Sequence, residues 1–268
     1  MDEYIKRLIT AEHAARQAGK YLIEVLPEKR DIDKKGIINL VTEVDRNSEK
    51  LIHEIITGHF PEDGFLAEEG TKSSPDKKGG SEFTWIVDPL DGTTNYAHRL
   101  PIFCVSIAIV KKGIPCVGCI YNPVLDECFT AQKEKGAFLN GKPIRVSTTD
   151  KLIDSLLATG FPYDIRESDD DNLDNFAMFY KKAQAVRRAG SAALDIAYLA
   201  CGRFDGFWEF KLSSWDIAAG IVIVEEAGGV VSKFNGEPVD IFKGEILASN
   251  GLIHSQMLKI LEMTKKQR

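Results

Sequence analysis

Trp85-Ile86-Val87-Asp88-Pro89-Leu90-Asp91-Gly92-Thr93-Thr94-Asn95-Tyr96 runs from an apolar, strand-like triplet straight into two aspartates three positions apart. Pro89 fixes its own φ and has no N–H to donate, so the spacing predicts that the strand turns there. The turn draws the Asp88 and Asp91 carboxylates towards one point and leaves the Leu90 carbonyl without a ladder partner. Like charges this close repel unless something positive sits between them. Two carboxylates and a carbonyl are hard oxygen ligands, the set that Mg²⁺, Mn²⁺ or Ca²⁺ prefers. Gly92 permits close backbone approach, and Thr93-Thr94 stand where a helix start presents N–H groups to a phosphate. Turn capping is the plainer reading of an aspartate here. It accounts for one of the two, but less well for both together with the proline, the glycine and the paired threonines.

Other acids outside this stretch join the candidates. Gly64-Phe65-Leu66-Ala67 reads as a short strand that runs into Glu68 and Glu69, and strand ends in mixed folds gather around sites. Trp215-Asp216 opens a helix that is apolar on nearly every side, hence buried. Ser213-Ser214-Trp215-Asp216 fits a capping box, which is the first reading of Asp216 taken alone. Thr42-Glu43-Val44-Asp45 fits another, so Thr42 is expected to open a helix and Asp45 to serve its first turn.

The remaining chain alternates. A helix is expected over 3–26, and the polar stretch Gly70–Glu82 reads as a surface loop. Strands at 102–110, 114–121 and 127–132 form an antiparallel meander, followed by a hairpin at Asn140-Gly141. Strands near 156–159, 185–186 and 204–210 alternate with helices near 173–183, 192–200 and 215–227. Two further strands and a helix over 253–263 complete the chain. The pattern is α/β in the α+β sense, with mixed layers of helix and sheet. It is read as a single compact unit, 1–268, with a softer division near residue 150.

The chain has 268 residues, 44% of them hydrophobic, enough for one large core or two intimate ones. A formal net charge of −6 disfavours nucleic acid as the principal partner. No apolar run is long enough to span a bilayer, and MDEYIKRLIT reads as neither a signal nor a transit peptide, so a cytoplasmic protein is expected. Five cysteines, an odd number, argue against a disulfide framework. Cys116-Val-Gly-Cys119 has zinc-like spacing but no second pair, and its strand-like setting favours buried thiols.

WIVDPLDGTTNY together with WDIAAG (Trp215 to Gly220) resembles the paired signature of the inositol monophosphatase family, within the lithium-sensitive, metal-dependent sugar phosphatases. LVTEVD, AEEG, GAFLNGKPIRVS, RRAGSAALDIAYLACGRFDGFWE and EEAGGVV resemble family segments in the same order, so the likeness spans nearly the whole chain. The resemblance implies a layered αβαβα sandwich shared with fructose-1,6-bisphosphatases. It also implies hydrolysis of a polyol or sugar phosphate monoester with two to three Mg²⁺ per site, Mn²⁺ being an alternative, and a homodimer.

Residue by residue, the resemblance implies metal ligands at Glu68, Asp88, the Leu90 carbonyl, Asp91 and Asp216. Asp88 would bridge two ions, and a third would share Glu68. Asp45 and Thr93 match the pair that activates the attacking water, with the Thr93 hydroxyl donating to Asp45. Gly92 and Thr93 match the phosphate-binding backbone, while Gly190, Ser191, Ala192 and Glu209 match contacts to the polyol, which Asp216 also reaches. Arg187-Arg188 meets a second phosphate or serves as a surface or interface pair. Inositol 1-phosphate is the expected substrate, with fructose 1,6-bisphosphate or dual activity as the alternative. A regulatory protein retaining the fold is the rival of another class. An aspartyl-phosphate phosphatase is disfavoured, because its two aspartates stand two apart and here they stand three apart.

Overall fold

Ala11, Ala14, Ala15, Ala18 and Leu22 form one fully buried stripe along α1 (Glu3–Glu24). A computed structural model describes residues 2–26, 34–73 and 81–265, the side chains of 34–42 excepted. The small side chains let α1 lie close on its neighbours, and a Cβ at Gly19 would stand 2.6 Å from the Tyr121 ring. Helix α2 spans Lys34–His59. Thr42 therefore lies inside a helix rather than at its start. The apolar period Ile37, Leu40, Val41, Val44 extends the helical pattern upstream of it.

The first sheet contains β1 (Gly64–Ala67), β2 (Lys72–Ser73) and β3 (Phe83–Asp91), then the five-residue helix α3 (Thr93–Ala97) intervenes. It continues through β4 (Cys104–Lys111), β5 (Ile114–Asn122), β6 (Glu127–Gln132), β7 (Ala137–Leu139) and β8 (Lys142–Pro143). The strand order is β2-β1-β3-β4-β5-β6-β7-β8, with β1 parallel to β3 and every other neighbour antiparallel. The meander read from the sequence is present. Part of the expected loop after Gly70 is instead strand β2, which pairs with the free edge of β1; residues 74–80 of that loop lie outside the described residues. Asn140-Gly141 turns the β7–β8 hairpin with φ of 50° and 74°, the left-handed pair that a two-residue turn demands.

The second half supplies β9 (Leu156–Thr159), α4 (Leu173–Tyr180), β10 (Ala185–Arg187), α5 (Ala192–Ala200) and β11 (Gly206–Glu209). Then come α6 (Ser214–Glu226), β12 (Val230–Ser232), β13 (Ile246–Ser249) and α7 (His254–Lys265). Their sheet runs β10-β9-β11-β13-β12.

Three apolar layers hold five structural ones together. Trp85, Val87, Val105 and Ile107 face α1 and α2. Ile86, Ala108, Ile120 and Phe129 face α5 and α6, which also meet Ala158, Phe207 and Ala248 of the second sheet. Leu157, Trp208 and Leu247 face Phe179 of α4 and Met257 and Leu261 of α7. The stack is therefore α, β, α, β, α. Helix α6 lies between two sheets, which is why it is apolar all round. A Cβ at Gly118 would sit 2.4 Å from the Ala219 carbonyl, so strand β5 and helix α6 meet backbone to backbone. Each fully buried aliphatic side chain in these layers contributes about 1.5–3 kcal/mol. Among the described residues no helix is long and apolar enough to cross a membrane.

Candidate active site

Strand β3 does not stop at Pro89. It continues to Asp91, and its pairing with β4 slips between Asp88↔Ser106 and Asp91↔Cys104. Three steps on β3 match two steps on β4, so one extra residue is accommodated as a bulge. The bulge tolerates a proline, which has no ladder hydrogen bond to give. It also reverses the alternation of side chains. In a regular strand Asp91 would share a face with Val87 and point at α1 and α2. With the extra residue it shares the face of Asp88 and points towards α5 and α6.

That reversal assembles the acids. Carboxylate oxygens of Asp88, Asp91 and Asp216 lie within 4.8 Å of one another. Glu68, at the end of β1 beside β3, stands next to Asp88. All four line one hollow of about 110 Å³, together with Leu90, Gly92, Thr93 and Glu209. An adjoining chamber of about 90 Å³ is lined by Asp91, Gly160, Arg188, Gly190, Ser191, Ala192, Asp195 and Glu209. Size does not mark the site, since a groove of about 670 Å³ elsewhere runs along α7.

Local chemistry fixes each group. The Asp88 Oδ1 accepts the Leu90 N–H at 2.9 Å inside the bulge. Asp91 Oδ2 accepts from the Ser191 hydroxyl at 2.6 Å and the Ala193 N–H at 2.8 Å, so the first turn of α5 holds it. Asp216 accepts the Ser213 N–H at 2.7 Å, the reciprocal contact of a capping box. Capping and site membership thus coexist at Asp216. Gly92 has φ of 98°, and a Cβ there would stand 2.9 Å from the Ile102 carbonyl, so glycine is required on both counts. Asn95 donates to the Ile102 and Ala189 carbonyls, tying α3 to the segment before Gly190.

Two sequence expectations need amending. The Leu90 carbonyl, free of the ladder because of the bulge, accepts the Thr93 hydroxyl at 3.2 Å. The expected Thr93–Asp45 bond is not formed, and Asp45 Oδ1 is buried without a hydrogen-bond partner. Local back-bonding to a nearby carbonyl wins the hydroxyl.

Several supports were not legible beforehand. Ser48 donates to the Pro89 carbonyl at 3.0 Å. Glu49 accepts the N–H groups of Glu69 and Thr71, holding the turn after Glu68. These contacts link residues about 20 to 41 positions apart, and no local pattern announces them. Arg187 and Arg188 diverge: both are exposed, but only Arg188 lines the second chamber. The five cysteines are free; Cys119 and Cys128 lie 3.8 Å apart, sulfur to sulfur, in the buried layer under α1.

The electrostatics state what is missing. Burial pushes the Asp88 carboxyl well above its usual range, and Glu68, Asp91 and Asp216 push it further. Asp91 is raised by burial against the pull of its Ser191 and Ala193 hydrogen bonds. Burial and then Asp91 lift Asp216 to about 8. Glu68 reaches about 7, chiefly because protein surrounds it on most sides even though it opens at the mouth. Asp45 reaches about 8 through burial and the charges of Glu69, Glu68 and Glu49. Lys211, the one cation lining the hollow among the described residues, is engaged by Asp164. An all-oxygen donor set with this much uncompensated negative charge fits hard divalent cations, and an orphaned Asp45 oxygen beside it fits a water-directing acceptor.

A metal-dependent phosphatase is the class that this layered fold and acidic hollow define. The family model described as the inositol monophosphatase family matches residues 5–266, and the chain belongs to that family, whose members are phosphoric monoester hydrolases. An inositol-1-monophosphatase from Synechocystis is 46% identical over 255 residues, which is 95% of this chain and 88% of that one. A Nus factor SuhB from Pseudomonas aeruginosa is 41% identical over 94% of each chain. The solved inositol monophosphatase from Anabaena (Nostoc) sp. PCC 7120 superposes with a TM-score of 0.89 at 44% identity, covering 98% of this chain and 97% of that one.

Proposed function

We propose that this enzyme hydrolyses inositol 1-phosphate to inositol and phosphate with Mg²⁺. The observation that carries the reading is the convergence of Asp88, Asp91 and Asp216 beside Glu68, where the one lining cation, Lys211, is engaged by Asp164 instead. Glu68, Asp88, Asp91, Asp216 and the Leu90 carbonyl would hold two to three ions. Bound there, paired ions neutralise the phosphoryl oxygens, acidify a water and stabilise the leaving alkoxide.

The chain's own groups do the rest. Gly92 and Thr93 offer backbone N–H groups to the phosphate. On turning from the Leu90 carbonyl, to which it donates here, Thr93 Oγ1 would take the proton of the attacking water and pass its own to Asp45 Oδ1. Burial and acidic neighbours raise Asp45 to about 8, which suits it to accept a proton near neutral pH. Gly190, Ala192 and Glu209 shape the space for the polyol, and Ser191 holds Asp91 in place. Glu209 and Asp195 put two carboxylates in the second chamber against one exposed Arg188, which favours a polyol there over a second phosphate.

Phosphate release from inositol 1-phosphate, fructose 1,6-bisphosphate and 3′-phosphoadenosine 5′-phosphate, with Mg²⁺ and with chelator, tests the reading. Mg²⁺-dependent turnover of inositol 1-phosphate above the others is expected. Turnover confined to the nucleotide would overturn it.

A further inference from the structure

Asp195 adds its charge to the second chamber, but no hydrogen-bonding partner accounts for it. It sits on α5, one turn past Ser191, and is 1% exposed. Its Oδ1 has no hydrogen-bond partner, one of only two such buried side-chain atoms among the described residues. The other, on Asp45, already has a proposed task. Buried polar atoms in folded proteins are nearly always satisfied, so an orphaned carboxylate oxygen calls for a donor from elsewhere.

The helix does not supply one. An acid near a helix start favours the macrodipole, but the free N–H of Ala193 is taken by Asp91, and Asp195 caps nothing. Nor does an ion pair form, since Arg188 stays at the exposed rim. Asp195 lines the second chamber with Glu209, Ser191 and Gly160. Gly160 is what lets Glu209 fold into that space, because a Cβ there would stand 2.1 Å from Glu209 Oε1. The chamber, about 90 Å³, is roughly the share of three liquid waters. It suits the hydroxylated edge of a ring. Two acids with no donor of their own reject a phosphate and welcome O–H groups.

We propose that Asp195 is a specificity-determining residue: its buried carboxylate accepts a hydrogen bond from a substrate hydroxyl remote from the phosphate, so that the enzyme selects polyol phosphates carrying a donor at that position. The inference rests on the polyol-phosphatase reading above and names a further residue for its substrate.

The test compares wild type, Asp195→Asn and Asp195→Ala on inositol 1-phosphate and on glycerol 2-phosphate, which has the phosphate but no ring. Loss of the acceptor in Asp195→Ala predicts a KM for inositol 1-phosphate raised about 10- to 100-fold, with kcat within about threefold, and Asp195→Asn, whose amide oxygen still accepts, falls between it and wild type. The kcat/KM for glycerol 2-phosphate stays within about twofold. Equal loss on both substrates would make Asp195 structural, and no loss on either would make it a spectator; each outcome overturns the inference while leaving the phosphatase reading intact. Wild type needs no folding control: one monodeoxy inositol phosphate should lose the same factor, and Asp195→Ala should no longer discriminate against it. If no monodeoxy analogue binds wild type more weakly, the inference fails. Wild type that hydrolyses neither ester defeats the phosphatase reading itself.

Discussion

Asp63 and Asp88 are both buried carboxylates of the same chain, yet they live in opposite circumstances. Asp63 receives Arg7 Nε and Nη2 and the Trp85 indole N–H, all at 2.8 Å. Arg7 itself lies over the Phe83 ring at 3.7 Å and the Phe60 ring at 4.5 Å. Asp88 receives one backbone N–H and faces Glu68, Asp91 and Asp216. The first acid has its cation built into the fold; the second is surrounded by more acid. A buried charge that is paired is architecture, and one that is left unpaired beside its own kind is a request for a ligand.

Four measurements break or sharpen that contrast. Asp88→Asn should lower kcat/KM with Mg²⁺ at least about 10³-fold, roughly 4 kcal/mol, yet leave the melting temperature of chelated protein unchanged or higher. A fall of several degrees would show that Asp88 is structural in the way Asp63 is. Arg7→Met strands Asp63 and should destabilise the fold by about 3–5 kcal/mol in urea denaturation, while the folded fraction keeps its kcat. A loss under about 1 kcal/mol would remove the distinction between the two acids.

Mg²⁺ at about 100 times its dissociation constant should stabilise wild type by about 2.7 kcal/mol. Chelator should reverse the gain, Arg7→Met should retain it, and Asp88→Asn should lose it. The smallest effect concerns pH. Asp45 and Asp216 rise from 3.8 to about 8, and Glu68 from 4.5 to about 7. Folded acids then hold protons that the unfolded chain has released, so stability of chelated protein should fall as pH climbs from about 4 to about 8. Thermal melts across that window should flatten when Mg²⁺ is added; a rising curve without metal would contradict the uncompensated acids.

The sequence made the acids visible and hid how they meet. Asp88, Asp91 and Gly92 stand together in one short stretch, and Asp216 sits at a recognisable helix start, so local chemistry exposes them. Reading Pro89 as the end of a strand placed the right residues for an incomplete reason. Register belongs to a pair of strands, and a bulge is seen only against the partner, here Ser106 and Cys104. Thr42 misled because a capping box also occurs inside helices. Ser191 holding Asp91 from 100 residues away, and Asp195 without a partner, depend on how α5 lands on the first sheet. No window of neighbouring residues contains that information.

The bulge in β3 also has a genetic consequence. Sidedness in a pleated ribbon is a matter of odd and even, so excising the single codon for Leu90 would leave Asp91 on its present surface, two steps from Asp88 in an unbroken ladder, and would abolish the kink that frees a main-chain oxygen beside the acids. Nearly every letter of the signature would survive such a lesion and both acids would keep their sidedness, while the main-chain oxygen between them would be drawn back into the ladder. Substitution scans would miss this vulnerability, and an in-frame deletion library would find it.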